Sequence, residues 1–295
     1  MMLVVGSTGL LGSEIVRRAR TSGLPVRAFA RPTASPERLD ALRASGAEIV
    51  WGDLKDPASL SRACEGVAAV VSTASSTFSR QTGDDIESVD RMGQVALVGA
   101  ARSAGVAHFT FFGLGPRCGD SPLIAAKQSF EQAVRASGMS WTSLEGSFFM
   151  EVWLSPALGF DYTRKKAVYF GTGNGPNWWV SYRDIAEAAM NAHRTLEAHN
   201  VAFDACGPEP LTQRQVVARF EAELEAKFET QQVPEEVLTS QIDSAGDPLQ
   251  RTFAALQLAC SRGIPMNPKP FVRTFNLKLT GVNEYICQVA EEEPR

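Results

Sequence analysis

The chain has only five cysteines, Cys64, Cys118, Cys206, Cys260 and Cys287, an odd number scattered with no C-x-x-C pair. That scarcity excludes a disulfide framework and the spacing of a zinc site, and it fits buried thiols in a reducing compartment. The three histidines, His108, His193 and His199, lack the spacing of metal ligands or of a nucleophile relay. No run approaches the roughly 20 apolar residues that cross a bilayer, so no membrane partner is expected. The basic leader of a signal peptide is also missing, because Met2-Leu3-Val4-Val5 runs straight into a glycine turn. A cytoplasmic location is therefore expected. With a net charge of −4 and no long basic run, the chain offers nothing to a nucleic acid or an anionic lipid surface. At 44% hydrophobic and 21% charged, it has the composition of an ordinary globular protein of one large domain or one and a half.

What is present is a rhythm. Apolar runs at Met2–Val5, Val26–Ala30, Ala47–Val50, Val67–Thr73, His108–Phe112 and Ser140–Leu144 read as strands. Between them lie helical patterns over Leu10–Ser22, Pro36–Ser45, Pro57–Cys64, Asp84–Ala104 and Ser121–Ser137. In the first of these, Leu11, Ile15, Val16 and Ala19 share a face. Ser35 and Asp56 are placed to cap the second and third helices, and Gly23, Gly46 and Gly105 to end helices. Strands separated by helices at this spacing demand right-handed crossovers and a parallel sheet covered on both faces. The fold class is α/β, a Rossmann-type doubly wound sheet. After about residue 146 the rhythm breaks. Helices are expected over Ser181–Leu196, Thr212–Lys227, Glu235–Gln241 and Asp247–Cys260, with a short strand at Val201–Ala205 and a less regular tail. We therefore divide the chain into a dinucleotide-binding domain, 1–146, and a smaller, mainly helical cap, 147–295, interleaved with the end of the sheet.

The turn after the first strand reads Gly6-Ser7-Thr8-Gly9-Leu10-Leu11-Gly12. A strand-to-helix turn that admits a pyrophosphate must be tight, bare along its backbone and close to the sheet, and each requirement removes a side chain. The helix that follows aims free N–H groups and a positive dipole end at the phosphates. The coenzyme contacts read here are Gly6, Thr8, Gly9, Leu10, Leu11 and Gly12. Arg31 ends the second strand, and no Asp or Glu lies between Glu14 and Glu37. A guanidinium there suits a 2′-phosphate and an acid would repel it, so NADP(H) is expected rather than NAD(H). Arg38 is either a second contact or a solvent-facing helix residue. Asp53 and Leu54, after the third strand, are placed to flank the adenine. Thr73, Ala74 and Ser75, after the fourth, are small enough to leave room for ribose and diphosphate. The polar run Ser72–Asp85, with Ser79, Arg80 and Gln81, reads as a flap over the coenzyme or as an ordinary surface loop.

These residues, with Lys127-Gln-Ser-Phe-Glu131 and Val180-Ser-Tyr-Arg-Asp184-Ile-Ala, resemble the NmrA-like family. Its members are atypical short-chain dehydrogenases related to isoflavone and phenylcoumaran benzylic ether reductases and to a quinone oxidoreductase. The resemblance runs from residue 1 to about 230. It implies either an NADPH-dependent reductase acting on a small aromatic or quinone-like acceptor, or a regulatory protein that binds NADP(H) without turning it over. Ordinary short-chain dehydrogenases place a tyrosine four residues before a lysine. Here position 123 is Leu, and the strand-five exit Phe112-Gly113-Leu114-Gly115 has glycine where a catalytic serine would stand. By resemblance Lys127 takes the proton-transfer role of the aromatic ether reductases. Two other roles stay open, a hold on the nicotinamide ribose and a plain i, i+4 ion pair with Glu131. Phe148, Phe149 and Trp153, together with Trp178, are read as a wall for a flat apolar substrate, or as packing for the cap. Asp184 reads as structural. A small-molecule substrate is the expected partner, and a homodimer the assembly allowed for.

Overall fold

The computed structural model describes residues 1–79, 81–115 and 118–292. A seven-stranded sheet dominates it, in the order β3-β2-β1-β4-β5-β6-β9. Its strands are β1 Met2–Val5, β2 Val26–Ala30, β3 Glu48–Trp51, β4 Ala69–Ser72, β5 His108–Gly113, β6 Ser140–Gly146 and β9 Val201–Ala205. The run Met2–Val5 has no exposed residue, as a strand covered on both faces must. It pairs in parallel with β2 (Met2 opposite Val26) on one side and with β4 (Met2 opposite Ala69) on the other. The chain therefore winds outward in one direction from β1 through β2 to β3, and in the other from β4 onward. In such sheets the reversal point opens a crevice outside the carboxyl ends of the two central strands, here after Val5 and Ser72.

The crossovers are α1 Leu10–Thr21, α2 Pro36–Ala44, α3 Pro57–Cys64, α4 Gln94–Ser103 and α5 Pro122–Ala136. α1 buries Leu11, Ile15, Val16 and Ala19, the face read from the sequence. Asp56 caps α3 through the Ala58 amide, whereas Ser35 stands at the N-cap of α2 without a side-chain bond. The single helix expected over Asp84–Ala104 is instead a π-helical stretch, Ile86–Gly93, running into α4. Its start is fixed by a reciprocal cap in which Asp85 accepts from the Ser88 amide and Ser88 from the Asp85 amide.

The chain forms two compact units. The first comprises 1–113, 125–144 and 185–203, and the second 114–124, 145–184 and 204–295. The first is held by a core that includes Leu3, Leu60, Leu97, Phe109 and Phe111, with Phe130 set edge-on to both phenylalanines. The second is built on a three-stranded sheet not expected from the sequence. There β8 Lys166–Phe170 runs parallel to β10 Glu229–Val233 and antiparallel to β7 Phe160–Asp161. Around it stand α6 Met150–Trp153 and the helices α8 Gln213–Glu223, α9 Glu235–Ser244 and α10 Pro248–Arg262. The less regular tail of the sequence reading is in fact helical, with α11 Pro268–Phe275 and α12 Val282–Glu292. The expected helix Ser181–Leu196 is shorter, α7 Tyr182–Asn191, followed by two 3₁₀ turns. Gly207 lets the second unit close up, because a Cβ there would stand 1.7 Å from the Trp179 carbonyl oxygen. Asn177, fully buried, donates from Nδ2 to the carbonyls of Gly175 (3.0 Å) and Cys260 (2.8 Å), tying the loop Gly171-Thr-Gly-Asn-Gly-Pro176 to α10.

Candidate coenzyme and proton-transfer site

The three glycines of the first turn are bare for different reasons. Gly6 has φ +84°, open to glycine, and a Cβ on it would meet the Ala74 amide and the Thr73 hydroxyl at 2.7 Å. Gly12, in the first turn of α1, would place a Cβ 2.1 Å from the Gly6 carbonyl oxygen. Both glycines are therefore required by the fold itself. Gly9 is less constrained, because a Cβ on it would meet the Gly6 oxygen at 3.3 Å, a tight contact relieved by a small shift, and nothing else within 4 Å. It is the N-cap of α1, and no side chain bonds there. No acid occupies the first turn of α1. The arrangement leaves bare backbone, free amides and a positive helix end together, which fits a dinucleotide diphosphate. Thr8 is half-buried and Leu10 exposed beside it, while Leu11 belongs to the core. Ser7 is buried, donating to the Phe29 carbonyl (2.8 Å) and so locking the turn to β2.

The exit of β4 lies against that turn. Thr73 bonds the Val5 carbonyl through its amide (2.9 Å) and its hydroxyl (3.2 Å). Ser75 shares a hydroxyl contact with Thr77 (3.1 Å). Below them lies a polar layer that the sequence reading missed. Ser72 Oγ donates to Gln94 Oε1 (2.8 Å), and Gln94 Nε2 donates to the Ala74 carbonyl (2.8 Å). The amide and hydroxyl of Ser76 both donate to Asp90 Oδ2, at 2.9 and 2.6 Å. Asp90 is buried and its Oδ1 has no hydrogen-bond partner among the described residues. A signal for it existed in the sequence. Ile86, Val89, Asp90 and Gly93 form the buried face of the π-helical stretch, so an acid stands on an apolar stripe.

Lys127 projects from α5 and its ammonium donates to the Phe112 carbonyl near the end of β5 (3.1 Å). The surface ion pair considered from the sequence is not formed, since Glu131 pairs with Arg135. Burial lowers the lysine's pKa, and the charge of Asp90 works against that lowering.

Arg31 and Lys55 converge on one carboxylate. Arg31 Nη1 and the Ser79 hydroxyl both donate to Asp84 Oδ2, and Lys55 Nζ donates to Asp84 Oδ1. Lys55 also reaches the Gly83 carbonyl (3.3 Å), and Gln81 Nε2 donates to the Thr33 hydroxyl (2.6 Å). The polar run Ser72–Asp85 is thus tied down to the exits of β2 and β3, although Arg80 within it lies outside the described residues. Burial alone would raise the Asp84 pKa. Hydrogen bonds from Lys55, Ser79 and Arg31, with the Arg31 charge, outweigh it and hold the group at about 2. Asp53 is partly exposed, accepts from the Lys55 amide (2.8 Å) and stands 3.9 Å from the Lys55 ammonium, whereas Leu54 turns into the core, its Cβ close to the position a Gly93 Cβ would take. Arg38 is exposed.

In the second unit, Phe148 is buried, edge-on to Trp153 (centroids 4.4 Å) and tilted against Trp179 (5.9 Å). Phe149, Trp153 and Trp178 keep intermediate exposure. Of the tryptophan pair, Trp179 is the buried one, its indole donating to the Leu211 carbonyl (2.9 Å). The cavity lined by Trp153, Phe160, Tyr169 and Trp179 is about 10 Å³, at most one water. Asp184 accepts from the amide (2.8 Å) and hydroxyl (3.0 Å) of Thr280, which gives it a structural task. Among the described residues no helix is long and apolar enough to cross a membrane, and no three side chains are grouped to hold a metal ion.

A doubly wound sheet with a bare first turn, a guanidinium at the exit of β2 and a half-buried lysine beside β5 is the arrangement expected of an atypical short-chain dehydrogenase. The NmrA-like family model matches residues 1–286, and the chain belongs to that family. It is 34% identical over 227 residues to an NAD(P)H azoreductase of Xenophilus azovorans, covering 75% of this chain and 73% of that protein. It is likewise 34% identical over 224 residues to a (4-alkanoyl-5-oxo-2,5-dihydrofuran-3-yl)methyl phosphate reductase of Streptomyces griseus, covering 75% and 72%. Its fold matches the crystal structure of a Citrobacter triphenylmethane reductase complexed with NADP(H), with a TM-score of 0.77 at 23% identity, over 98% and 99% of the two chains.

Proposed function

We propose that this chain is an NADPH-dependent reductase that delivers hydride to a small, flat, aromatic or quinone-like acceptor. The observation that carries the reading is Gly9, the glycine of the turn whose bareness the fold demands least, since a Cβ there would meet only the Gly6 carbonyl oxygen, at 3.3 Å; its missing side chain leaves the first turn open to a diphosphate. NADPH, when bound, supplies the hydride. The chain's own residues do the rest. The backbone from Gly6 to Gly12 and the start of α1 hold the diphosphate, with Thr73, Ala74 and Ser75 beside it. Arg31 meets the 2′-phosphate as a fork of donors. Lys127 holds a proton at Nζ, and its lowered pKa brings the ammonium closer to giving that proton up near neutral pH. For the acceptor we assign the half-exposed Phe149, Trp153 and Trp178. Phe148 contributes by fixing Trp153 rather than by touching substrate. The names of the two relatives given above are those of reductases, which supports the reaction class.

The test is turnover. Purified protein is mixed with NADPH and a panel of quinones, azo dyes, enones and aromatic ethers while coenzyme oxidation is followed optically. Lys127→Ala abolishes turnover and leaves NADPH binding intact if Lys127 moves the proton. Tight NADPH binding with no turnover on any acceptor refutes the reductase reading in favour of a coenzyme-responsive regulator.

A further inference from the structure

Arg31 and Lys55 leave neighbouring strands at the same end of the sheet, since Ala30 of β2 pairs with Trp51 of β3. Two cations that approach one point are a site for an anion, and in this chain the anion is the carboxylate of Asp84. Only 1% of that side chain is exposed, against 33% for Arg31 and 31% for Lys55. The cations therefore face outward over a buried negative charge. Asp84 is also firmly seated. Its amide donates to the Gln81 carbonyl (3.2 Å), and the next residue caps the π-helical stretch through the Ser88 amide (2.6 Å). A carboxylate held in this way is not pushed aside easily by an arriving ligand. It stays ionised at any pH where the coenzymes are handled.

We infer that Asp84 is a specificity-determining residue that moderates the preference for NADPH over NADH, and that Lys55 is the second cation of the 2′-phosphate site. The inference rests on the coenzyme reading above. Against the two cations stand Asp84 between them and Asp53, whose Oδ2 lies 3.9 Å from Lys55 Nζ, so the cluster offers a phosphate dianion no net positive charge while Asp84 is ionised. The ribose 2′-hydroxyl of NADH carries no charge, so Asp84 does not repel it. The carboxylate thus weakens the binding of one coenzyme and leaves the other alone, which keeps both usable by a site whose guanidinium alone would favour the phosphorylated form.

The experiment is calorimetric titration of the full chain with NADPH and with NADH. Asp84→Asn keeps the shape and an acceptor oxygen for Arg31 and Ser79 but removes the charge. It should tighten NADPH by about tenfold while NADH stays within about twofold. Lys55→Ala should weaken NADPH by about tenfold and likewise spare NADH. An unchanged ratio of the two affinities in Asp84→Asn overturns the inference. So does a loss of NADPH affinity in that variant, because Asp84 would then serve to aim the cations. Equal losses of both coenzymes in Lys55→Ala overturn the assignment of Lys55. Wild-type protein that takes up neither coenzyme overturns the underlying coenzyme reading instead, and the two failures are told apart without any variant. Circular dichroism of each variant confirms the native fold before titration.

Discussion

His108 opens β5 with 3% of its surface exposed, and its ring lies 4.6 Å from that of His199. Thr142 donates its one hydroxyl proton to the Ala198 carbonyl (2.7 Å), so its oxygen can only accept from His108 Nε2 (3.2 Å). That leaves His108 Nδ1 to accept from Ser140 (3.1 Å), and the neutral Nε2–H tautomer satisfies both contacts. A second proton on Nδ1 could be accepted by a reoriented Ser140 hydroxyl, but it would place a positive charge in a buried site. Burial, then the neighbouring His199 and His193, push the His108 pKa from an ordinary 6.5 down to about 3. The folded-state value is depressed, so the stability tied to the neutral ring is complete above 6.5 and is lost as pH falls from there toward 3. From about pH 7.5 to about pH 5 this linkage removes about 2 kcal/mol of folding stability. In a domain of this size that corresponds to roughly 4–8 °C of Tm. Carboxylates also respond to acid, so the measurement is a difference. Wild type and His108→Gln are melted across the pH range, and the wild type should lose the additional stability as pH falls. Parallel curves for the two proteins would refute the account.

Two substitutions in the first turn should behave oppositely. Gly12→Ala drives a Cβ into the Gly6 carbonyl and should cost about 1–3 kcal/mol of stability, read from chemical unfolding. Gly9→Ala presses on one oxygen at 3.3 Å, so its Tm should fall far less than that of Gly12→Ala while coenzyme affinity in a titration falls. Asp90→Asn removes the negative charge that supports the Lys127 ammonium, so the lysine's pKa should fall further. The loss of activity at high pH should then begin at lower pH than in wild type; a basic limb that stays put would exclude any influence of Asp90 on Lys127.

The first half of the fold was legible because its signals are local. Met2–Val5, the Gly6–Gly12 turn and the apolar face of α1 each sit within one short window of sequence. The second unit hid its sheet for the opposite reason. β10 pairs Glu229 with Lys166, 63 residues away, and its segment Glu-Thr-Gln-Gln-Val is nearly all exposed, with no apolar alternation to betray a strand. Arg31 could be nominated as a candidate from its fixed distance to the glycines. Lys55 and Asp84 could not, because only the descent of the polar run onto β3 brings residues 29 apart into contact. The histidines read as unrelated, since nothing in a sequence announces that positions 108 and 199 share a wall.

The interleaving of the two units has a consequence for how the molecule is made. The strand that closes the large sheet, β9, is encoded after all of β7 and β8. A ribosome that has released residue 146 has delivered six strands and left β6 with unpaired amides and carbonyls along one side. The nascent sheet must wait with that margin open for some 55 further residues, a few seconds of synthesis. Over that interval an early-folding first half is the part of this chain most in need of a chaperone.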